Sequence, residues 1–305
     1  MTEKAITNEQ WHEDEKVWWN KYGHYMTFQW TLTPELNEAL RSDMRDDYTD
    51  FLHKPSGSLL DIGCGGGWLS MHFAMKGMNV HGVDLSQEQI NDANALKEKH
   101  SLQNVSFECC DLVQWDCQKF EQGFDSVFVS AFLHHVPEDE LQIIFDKIAS
   151  VLKPGGRVYL YEPLCESAPG QGSPISRGVD FLYKAFVYVF STLLPKHLGL
   201  YNEEYIQNVE RGYQMCSPHE RPVELDVLKK CCRDSFDIIE VKGRHLFSLG
   251  FAMHSMGLKE TARAIYSKIA VVLYWADKCV FRLFRWSDFS QPKRFILCSV
   301  KLKRR

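Results

Sequence analysis

The amino-acid sequence predicts an α/β protein built on a doubly wound, mostly parallel sheet. Three observations predict it. From Ser58 to Glu162, apolar runs of strand length alternate with segments of helical period, joined by short polar links. Such alternation points to parallel strands with helices on both faces. The run Leu59-Leu60-Asp61-Ile62 passes straight into Gly63-Cys64-Gly65-Gly66-Gly67-Trp68, which reads as a strand, a tight turn and a helix opening near Gly66. The next run, Asn79-Val80-His81-Gly82-Val83-Asp84, ends in an acid 21 positions after Gly63.

Each element follows from its own pattern. The segment from Trp11 to Met26 is dense in aromatics, and part of it reads as a short helix. Leu36, Leu40, Met44 and Tyr48 then recur at helical spacing in a run ending near Leu52. Pro34 suits its first turn and Thr33 its N-cap. Leu59–Ile62 is the first strand, and Gly66–Lys76 its helix, with Gly77 as the stop. Val80–Val83 is the second strand. Ser86 caps the helix that runs to about His100, and Gln89, three residues on, can close a capping box with it. Val105–Cys109 is the third strand, followed by the acid Asp111. Phe124–Ser130 is the fourth, nearly continuous in apolar residues as a strand covered on both faces should be. Pro137 and Glu138 begin a helix ending near Leu152, which the turn Lys153-Pro154-Gly155-Gly156 stops. Arg157–Glu162 is the fifth strand.

Beyond Pro163 the alternation breaks. Gly170, Gly172 and Pro174 mark an irregular loop. Val179–Leu194 is apolar on nearly every side and ends at Pro195. It is shorter than the roughly 20 residues a membrane span needs, and it reads as a helix buried between core and cap. Pro222 to Cys232 reads as a helix and Phe236–Val241 as a strand. Lys259–Trp286 has helical period, with Ile265, Ile269, Leu273 and Ala276 on one face and Val272, Tyr274, Trp275, Val280 and Phe281 widening it. Phe295–Lys301 is the last strand. The cap these insertions form is rich in Phe, Tyr, Trp and Met. It suits a pocket for an apolar or aromatic molecule, and equally a homodimer interface.

The bulk numbers limit the partners. The chain has 305 residues and a net charge of −5, so no nucleic-acid partner is indicated. Its ten cysteines include no Cys-x-x-Cys pair, so no metal site is expected and a reducing cytoplasmic setting is the simplest. Met1-Thr2-Glu3-Lys4 lacks the basic-then-apolar pattern of a signal peptide. From Glu240 to Arg305, fourteen Lys/Arg face four Asp/Glu. This basic, aromatic region is either a solvated face or a contact for an anionic membrane surface.

The motifs taken together carry a resemblance. Asp61-Ile62-Gly63-Cys64-Gly65-Gly66-Gly67, Val83-Asp84-Leu85-Ser86, Cys110-Asp111-Leu112, Phe124-Asp125-Ser126-Val127, Leu133-His134-His135-Val136 and Leu152-Lys153-Pro154-Gly155-Gly156 occur in one order. In that order and spacing the chain resembles the class I S-adenosylmethionine-dependent methyltransferases, and among them the small-molecule enzymes of ubiquinone and menaquinone biosynthesis. The resemblance implies a Rossmann-like, seven-stranded sheet whose last strand is antiparallel. It implies residues 1–57 as an N-terminal helical lid and 58–163 as the cofactor-binding core. Residues 164–233 would be a helical cap insertion, and 234–305 the last strands with a second helical insertion at about 245–290.

The resemblance also implies roles. Gly63 and Gly65 would pack against the methionine part of S-adenosyl-L-methionine, with Asp61 anchoring its ammonium. Asp84 would take the ribose hydroxyls and Leu85 line the adenine. Asp111 would accept from the adenine amino group and the Leu112 N–H reach a ring nitrogen. Ser130 would sit beside the sulfonium. Tyr22 and Tyr25 are lid contacts or staples that hold an N-terminal helix to the core. A base is needed only if the acceptor loses a proton; the candidates are His134, His135 and His219, with Glu162 and Glu220 as further carboxylates. The expected reaction is methylation of a small lipophilic or aromatic acceptor, O-methylation favoured. The alternatives are another transfer from the same cofactor and an inactive scaffold of the same fold. A nicotinamide dehydrogenase would show Gly-x-Gly-x-x-Gly, and position 68 is Trp.

Overall fold

The structure is a computed structural model and describes residues 6–31, 45–120, 122–165, 181–182, 185–186, 188–203, 217–245, 248, 258–284 and 296–305. In chain order its elements are α1 (Asn8–Thr31), α2 (45–52), β1 (Ser58–Ile62), α3 (Trp68–Met75), β2 (Asn79–Asp84), α4 (Gln87–Lys99), β3 (Val105–Cys109), β4 (Phe124–Ser130), α5 (Leu141–Val151) and β5 (Leu152–Cys165). After these come β6 (Val223–Glu224), α6 (Leu225–Cys232), β7 (Phe236–His245), α7 (Glu260–Phe284) and β8 (Ile296–Arg304).

The sheet order is β3-β2-β1-β4-β5-β8-β7, with β6 beside the far end of β5. Strands β1 to β5 pair in parallel, and β8 runs antiparallel between β5 and β7. The period of two along each strand sorts side chains onto two cores. Leu60, Ile62, Val127, Val129, Val158 and Leu160 face α5 and α6. Leu59, Phe128 and Tyr159 face α2 and α3. Each such side chain contributes about 1.5–3 kcal/mol by leaving water, which is why these strands read as unbroken apolar runs.

The parallel core matches the sequence reading closely, and several details differ. The sheet has eight strands rather than seven, because Val223 and Glu224 pair with Leu164 and Cys165 instead of opening a helix. The aromatic N-terminal segment is one helix of 24 residues, not a short one. Leu36, Leu40 and Met44, with Thr33 and Pro34, lie outside the described residues; Tyr48 and Leu52 are buried on α2. The capping box is half made. Ser86 Oγ accepts from Gln89 N at 3.2 Å, while Ser86 N donates to Asp84 Oδ1 at 2.9 Å. The Pro-Gly-Gly turn falls within β5, which begins at Leu152 and pairs there with Phe124.

The two insertions depart furthest. Among the described residues of the run 179–194, Phe181, Leu182 and Tyr188 are exposed rather than buried. Nor does Pro195 end it, since helix continues to His197 after a wider π-type turn over Val189–Leu193. In α7 the buried face is Ala262, Tyr266, Ala270 and Tyr274. The bulkier aliphatic face, Ile265, Ile269 and Val272, points outward with Trp275. Alanines let the neighbouring chain approach closely, and Tyr266 donates its hydroxyl to Phe190 O at 2.8 Å; bulk alone does not select the inner face. Asp277 is buried beside them and accepts from Ser248 N and Oγ at 2.9 and 2.7 Å. Among the described residues, no helix is long and apolar enough to cross a membrane.

Helix α2 is tied to the sheet by charge. Asp47 accepts from Tyr159 OH at 2.9 Å and Lys301 Nζ at 2.5 Å, and it pairs with the buried Arg244 guanidinium.

Candidate active site at the carboxyl edge of the sheet

The order reverses between β1 and β4, and the crevice at such a switch point is where open α/β sheets bind ligands. Two loops meet there. After β1, Gly63, Gly65 and Gly67 take φ of 67°, 49° and 77°, a region in which any larger residue is strained. A Cβ at Gly63 would come within 2.9 Å of Phe132 Cβ, and one at Gly67 within 2.8 Å of Phe107 Cζ. Gly67 thus joins Gly63 and Gly65 as an obligatory glycine. The turn is latched to β2 by Gly63 N and Cys64 N, which donate to Val83 O at 2.9 and 3.0 Å.

The acids at the strand ends differ in setting. Asp61 is buried beneath the turn, with Ser70 Oγ donating to its Oδ2 at 2.6 Å. Burial pushes its carboxyl up to about 7, the Ser70 hydrogen bond opposing and the nearby Asp84 charge adding. Asp84, at the end of β2, accepts from Gly65 N at 2.8 Å and Ser86 N at 2.9 Å. Burial raises its pKa against those hydrogen bonds. Asp111 accepts from Val113 N at 2.9 Å and lies 3.8 Å from His12 Nδ1. Leu85 is half-buried, as is Ser130 at the end of β4; the Leu112 side chain is in the core.

The second loop follows β4. Ala131 takes φ 51°, uncommon for a residue with a Cβ, and its N–H donates to Tyr161 O at 2.9 Å. That turn lets Glu162, fully buried on β5, gather the next three residues. Its Oε1 accepts from Phe132 N at 2.8 Å and Leu133 N at 3.0 Å. Its Oε2 lies 2.8 Å from His134 Nδ1. With the carboxylate as acceptor Nδ1 is the donor, which in the neutral ring leaves the lone pair on Nε2. Nε2 lies 3.7 Å from Glu220.

The other two histidines meet α1. His135 Nδ1 is 2.9 Å from Ser217 Oγ and 3.1 Å from Glu15 Oε2, and its ring meets the Trp19 edge. Burial, then the neighbouring His134, lower its pKa, Glu15 opposing. His219 stacks on Trp11 at 4.4 Å, and its Nε2 is 2.9 Å from Asp14. Further ties run from Trp11 Nε1 to His135 O at 2.7 Å and from His12 Nε2 to Glu140 at 2.5 Å. Ser86 Oγ donates to Asn20 at 2.8 Å. Helix α1 therefore lies across the carboxyl edge, from the β4 loop to the start of α4. Tyr22 is half-buried against Trp18, 5.5 Å between ring centres; the Tyr25 side chain lies outside the described residues. Glu15 and Trp11 were not singled out from the sequence. The available signal was a carboxylate at position 15 on the stripe Trp11, Glu15, Trp18, Tyr22, whose spacing is that of a buried helix face. Among the described residues, no group of three or more His, Cys, Asp or Glu is arranged to hold a metal.

A glycine turn under an acid-ended second strand, at the switch point of a 3-2-1-4-5 sheet with an antiparallel strand beside β5, defines a class. Residues 59–156 match the model of a methyltransferase domain and constitute such a domain, of the class I, S-adenosylmethionine-dependent type. Among curated proteins the chain is similar to ubiquinone biosynthesis O-methyltransferases. It is 37% identical to that of Coxiella burnetii over 101 residues, 33% of this chain and 41% of the relative. It is 30% identical to that of Chromobacterium violaceum over 145 residues, 47% of this chain and 56% of the relative. The chain thus spans about half the length of these relatives. Among solved structures, magnesium protoporphyrin IX methyltransferase from Synechocystis PCC 6803 shares the fold at TM-score 0.52 and 14% identity, over 100% of both chains. Geranyl diphosphate C-methyltransferase from Streptomyces coelicolor A3(2) does so at 0.52 and 13%, over 87% of this chain and 76% of the other.

Proposed function

We propose that this protein transfers the methyl group of S-adenosyl-L-methionine to a small lipophilic or aromatic acceptor, at a hydroxyl oxygen. The observation that carries the oxygen acceptor is the His134–Glu162 pair, 2.8 Å apart beside the glycine turn. A hydroxyl must lose its proton as it is methylated, and a neutral imidazole whose tautomer is fixed by a buried carboxylate can take it.

The donor set fits the cofactor, a cation with a ribose diol. One Asp84 oxygen accepts from Gly65 N–H and the other from Ser86 N–H, with the Leu85 N–H also directed at the carboxylate; a carboxylate has about four acceptor sites, so capacity remains for a ribose hydroxyl. The bare backbone of Gly63 and Gly65 would lie against the methionine part, with Asp61 beneath the turn. Asp111 and the Leu112 N–H would meet the adenine beside Leu85, and Ser130 the sulfonium edge. The cofactor supplies an activated methyl on positive sulfur. The chain holds that methyl in line with the acceptor and excludes water. Nε2 of His134 takes the hydroxyl proton; α1, with Tyr22, closes over the site, held by His135 and His219.

Support for the acceptor class comes from two sources. The relatives carry the name ubiquinone biosynthesis O-methyltransferase, and the sequence of the cap is rich in Phe, Tyr and Trp. The fold by itself does not choose a reaction: the cyclase SpnF shares it at TM-score 0.50 and 16% identity, over 86% of this chain and 80% of that one. Calorimetric titration with S-adenosylmethionine and its demethylated product, then methyl-transfer assays on phenols and lipophilic alcohols, test the reading. Micromolar binding of both and transfer to a hydroxyl are expected. Binding without transfer to any acceptor points to the scaffold, and absence of binding removes the proposal.

A further inference from the structure

Helix α7 has two apolar faces. The inner one packs on Leu200, Tyr201 and Phe186 of the first insertion. The outer one runs Ile265, Ile269, Val272, Ala276 and Leu283, spaced by three, four or seven residues so that they share a stripe. Its large members are open to water: Ile265 is 61% exposed, Val272 67% and Leu283 77%. Trp275 flanks the stripe at 61% exposure, with Lys278 Nζ 5.1 Å over its ring.

The charges around this stripe have one sign. On the Trp275 flank of the stripe Lys268, Lys278 and Arg282 reach solvent, against the single acid Glu260 of the helix; Lys259 is turned to the first insertion, its Nζ donating to Gly199 O at 2.8 Å, and Asp277 is sealed inside. They stand on a chain whose net charge is −5, so the basic face is local. Apolar residues that remain exposed in a contiguous stripe mark a contact surface. Aliphatic side chains, an interfacial Trp and flanking Lys/Arg are what an anionic bilayer surface receives: the stripe enters the headgroup boundary and the bases meet the lipid phosphates. A second copy of the chain fits less well, because a two-fold contact sets the same basic patch against itself.

The first insertion adds to the same unit. Phe181, Leu182, Tyr188 and Leu198 are exposed on it. It is locked to α7 by Tyr266 OH to Phe190 O at 2.8 Å and Lys259 N to Leu200 O at 2.8 Å.

We propose that the outer stripe of α7, from Ile265 to Leu283, is a docking face for an anionic lipid membrane, lying on it rather than crossing it. The proposal does not depend on the methyl-transfer reading. It is tested by flotation of the full chain with vesicles of phosphatidylcholine alone or mixed with phosphatidylglycerol, at low and high salt. The protein should float with the anionic vesicles, and less at high salt. Lys268→Glu with Arg282→Glu should weaken that binding at least about tenfold. Val272→Asp and Trp275→Ala should each weaken it at both salt concentrations. Both are exposed positions, so circular dichroism and S-adenosylmethionine affinity should match wild type. Trp275→Ala stands as the second variant should the aspartate disturb the helix. Failure of the wild type to float, equal flotation on neutral vesicles, or variants that float as well as wild type would overturn the proposal. So would a wild-type dimer by light scattering that Val272→Asp dissolves, since a second copy would then cover the stripe.

Discussion

Ser70 donates to Asp61 at 2.6 Å, and this bond locks a carboxyl group underneath the glycine turn instead of inside the crevice. The acid acts on the site through its charge and on the fold through its protonation.

The first prediction follows from that protonation. The folded pKa of Asp61 is pushed up to about 7 by burial, above the ordinary aspartate value of about 4. A raised folded pKa gives stability that is full below about pH 4 and lost as pH rises towards about 7. Asp61→Asn keeps an acceptor for Ser70 and removes this dependence. Thermal unfolding at mildly acidic and mildly alkaline pH should show the variant gaining on wild type in alkali, while its affinity for S-adenosylmethionine falls.

His134 and Glu162 should behave as one unit. His134→Ala should lower kcat about a hundred- to ten-thousandfold with cofactor affinity unchanged. Glu162→Gln should also lower kcat, because the ring loses its fixed tautomer. The double variant should be little worse than His134→Ala, as groups acting together are not additive. Single-turnover assays separate these effects from binding.

Glu15 should matter to closure rather than to chemistry. It sits buried against His135, with the His219 N–H donating to it at 3.2 Å. Glu15→Ala removes the acceptor of the His219 backbone N–H and of the Trp19 indole N–H, while His135 keeps Ser217, and should destabilise by about 1–3 kcal/mol. Stopped-flow fluorescence should show faster cofactor release, with the methyl-transfer step itself little changed.

Asp47 should be a stability residue. Removing it strands the buried Arg244, so Asp47→Ala should destabilise by about 3–5 kcal/mol in urea unfolding, and Arg244→Met should recover part of the loss. Burial opposes ionisation of Asp47, yet Lys301, Arg244 and Tyr159 hold its carboxyl below the usual range. Its contribution is therefore present above about pH 4 and lost as pH falls below that. The wild type should lose more stability than Asp47→Ala on acidification.

The parallel core was readable because its signals are local. Strand runs, glycines at forced φ and caps such as Ser86 each depend on a few neighbours, and β3 and β4 fall where the sequence puts them. The cap was legible as helix but not in its facing. The inner side of α7 is chosen by Ala262, Ala270 and a Tyr266 hydroxyl that finds Phe190 O, a partner 76 positions away that no periodicity encodes. In the site, the Gly63 turn and Asp84 could be read from spacing. Glu162 could not be raised above other carboxylates, since its role appears only when β5 pairs beside β4 and Ala131 turns the loop back onto it. Val223 and Glu224 were lost for a similar reason: a two-residue strand exists only through its pairing with β5.

The antiparallel pair β7–β8 encloses the α7 insertion between two strands that are paired along their whole length. A connection of about 50 residues in place of about five adds only about 2 kcal/mol of closure entropy, because that term grows with the logarithm of length. The insertion has its own small core of Leu258, Ala262, Tyr266, Ala270 and Tyr274. It can therefore melt and re-form while the strands at its base stay zipped. In native-state hydrogen exchange the amides of α7 should open together, at a lower free energy than those of β5 and β8, as a cooperative unit of its own.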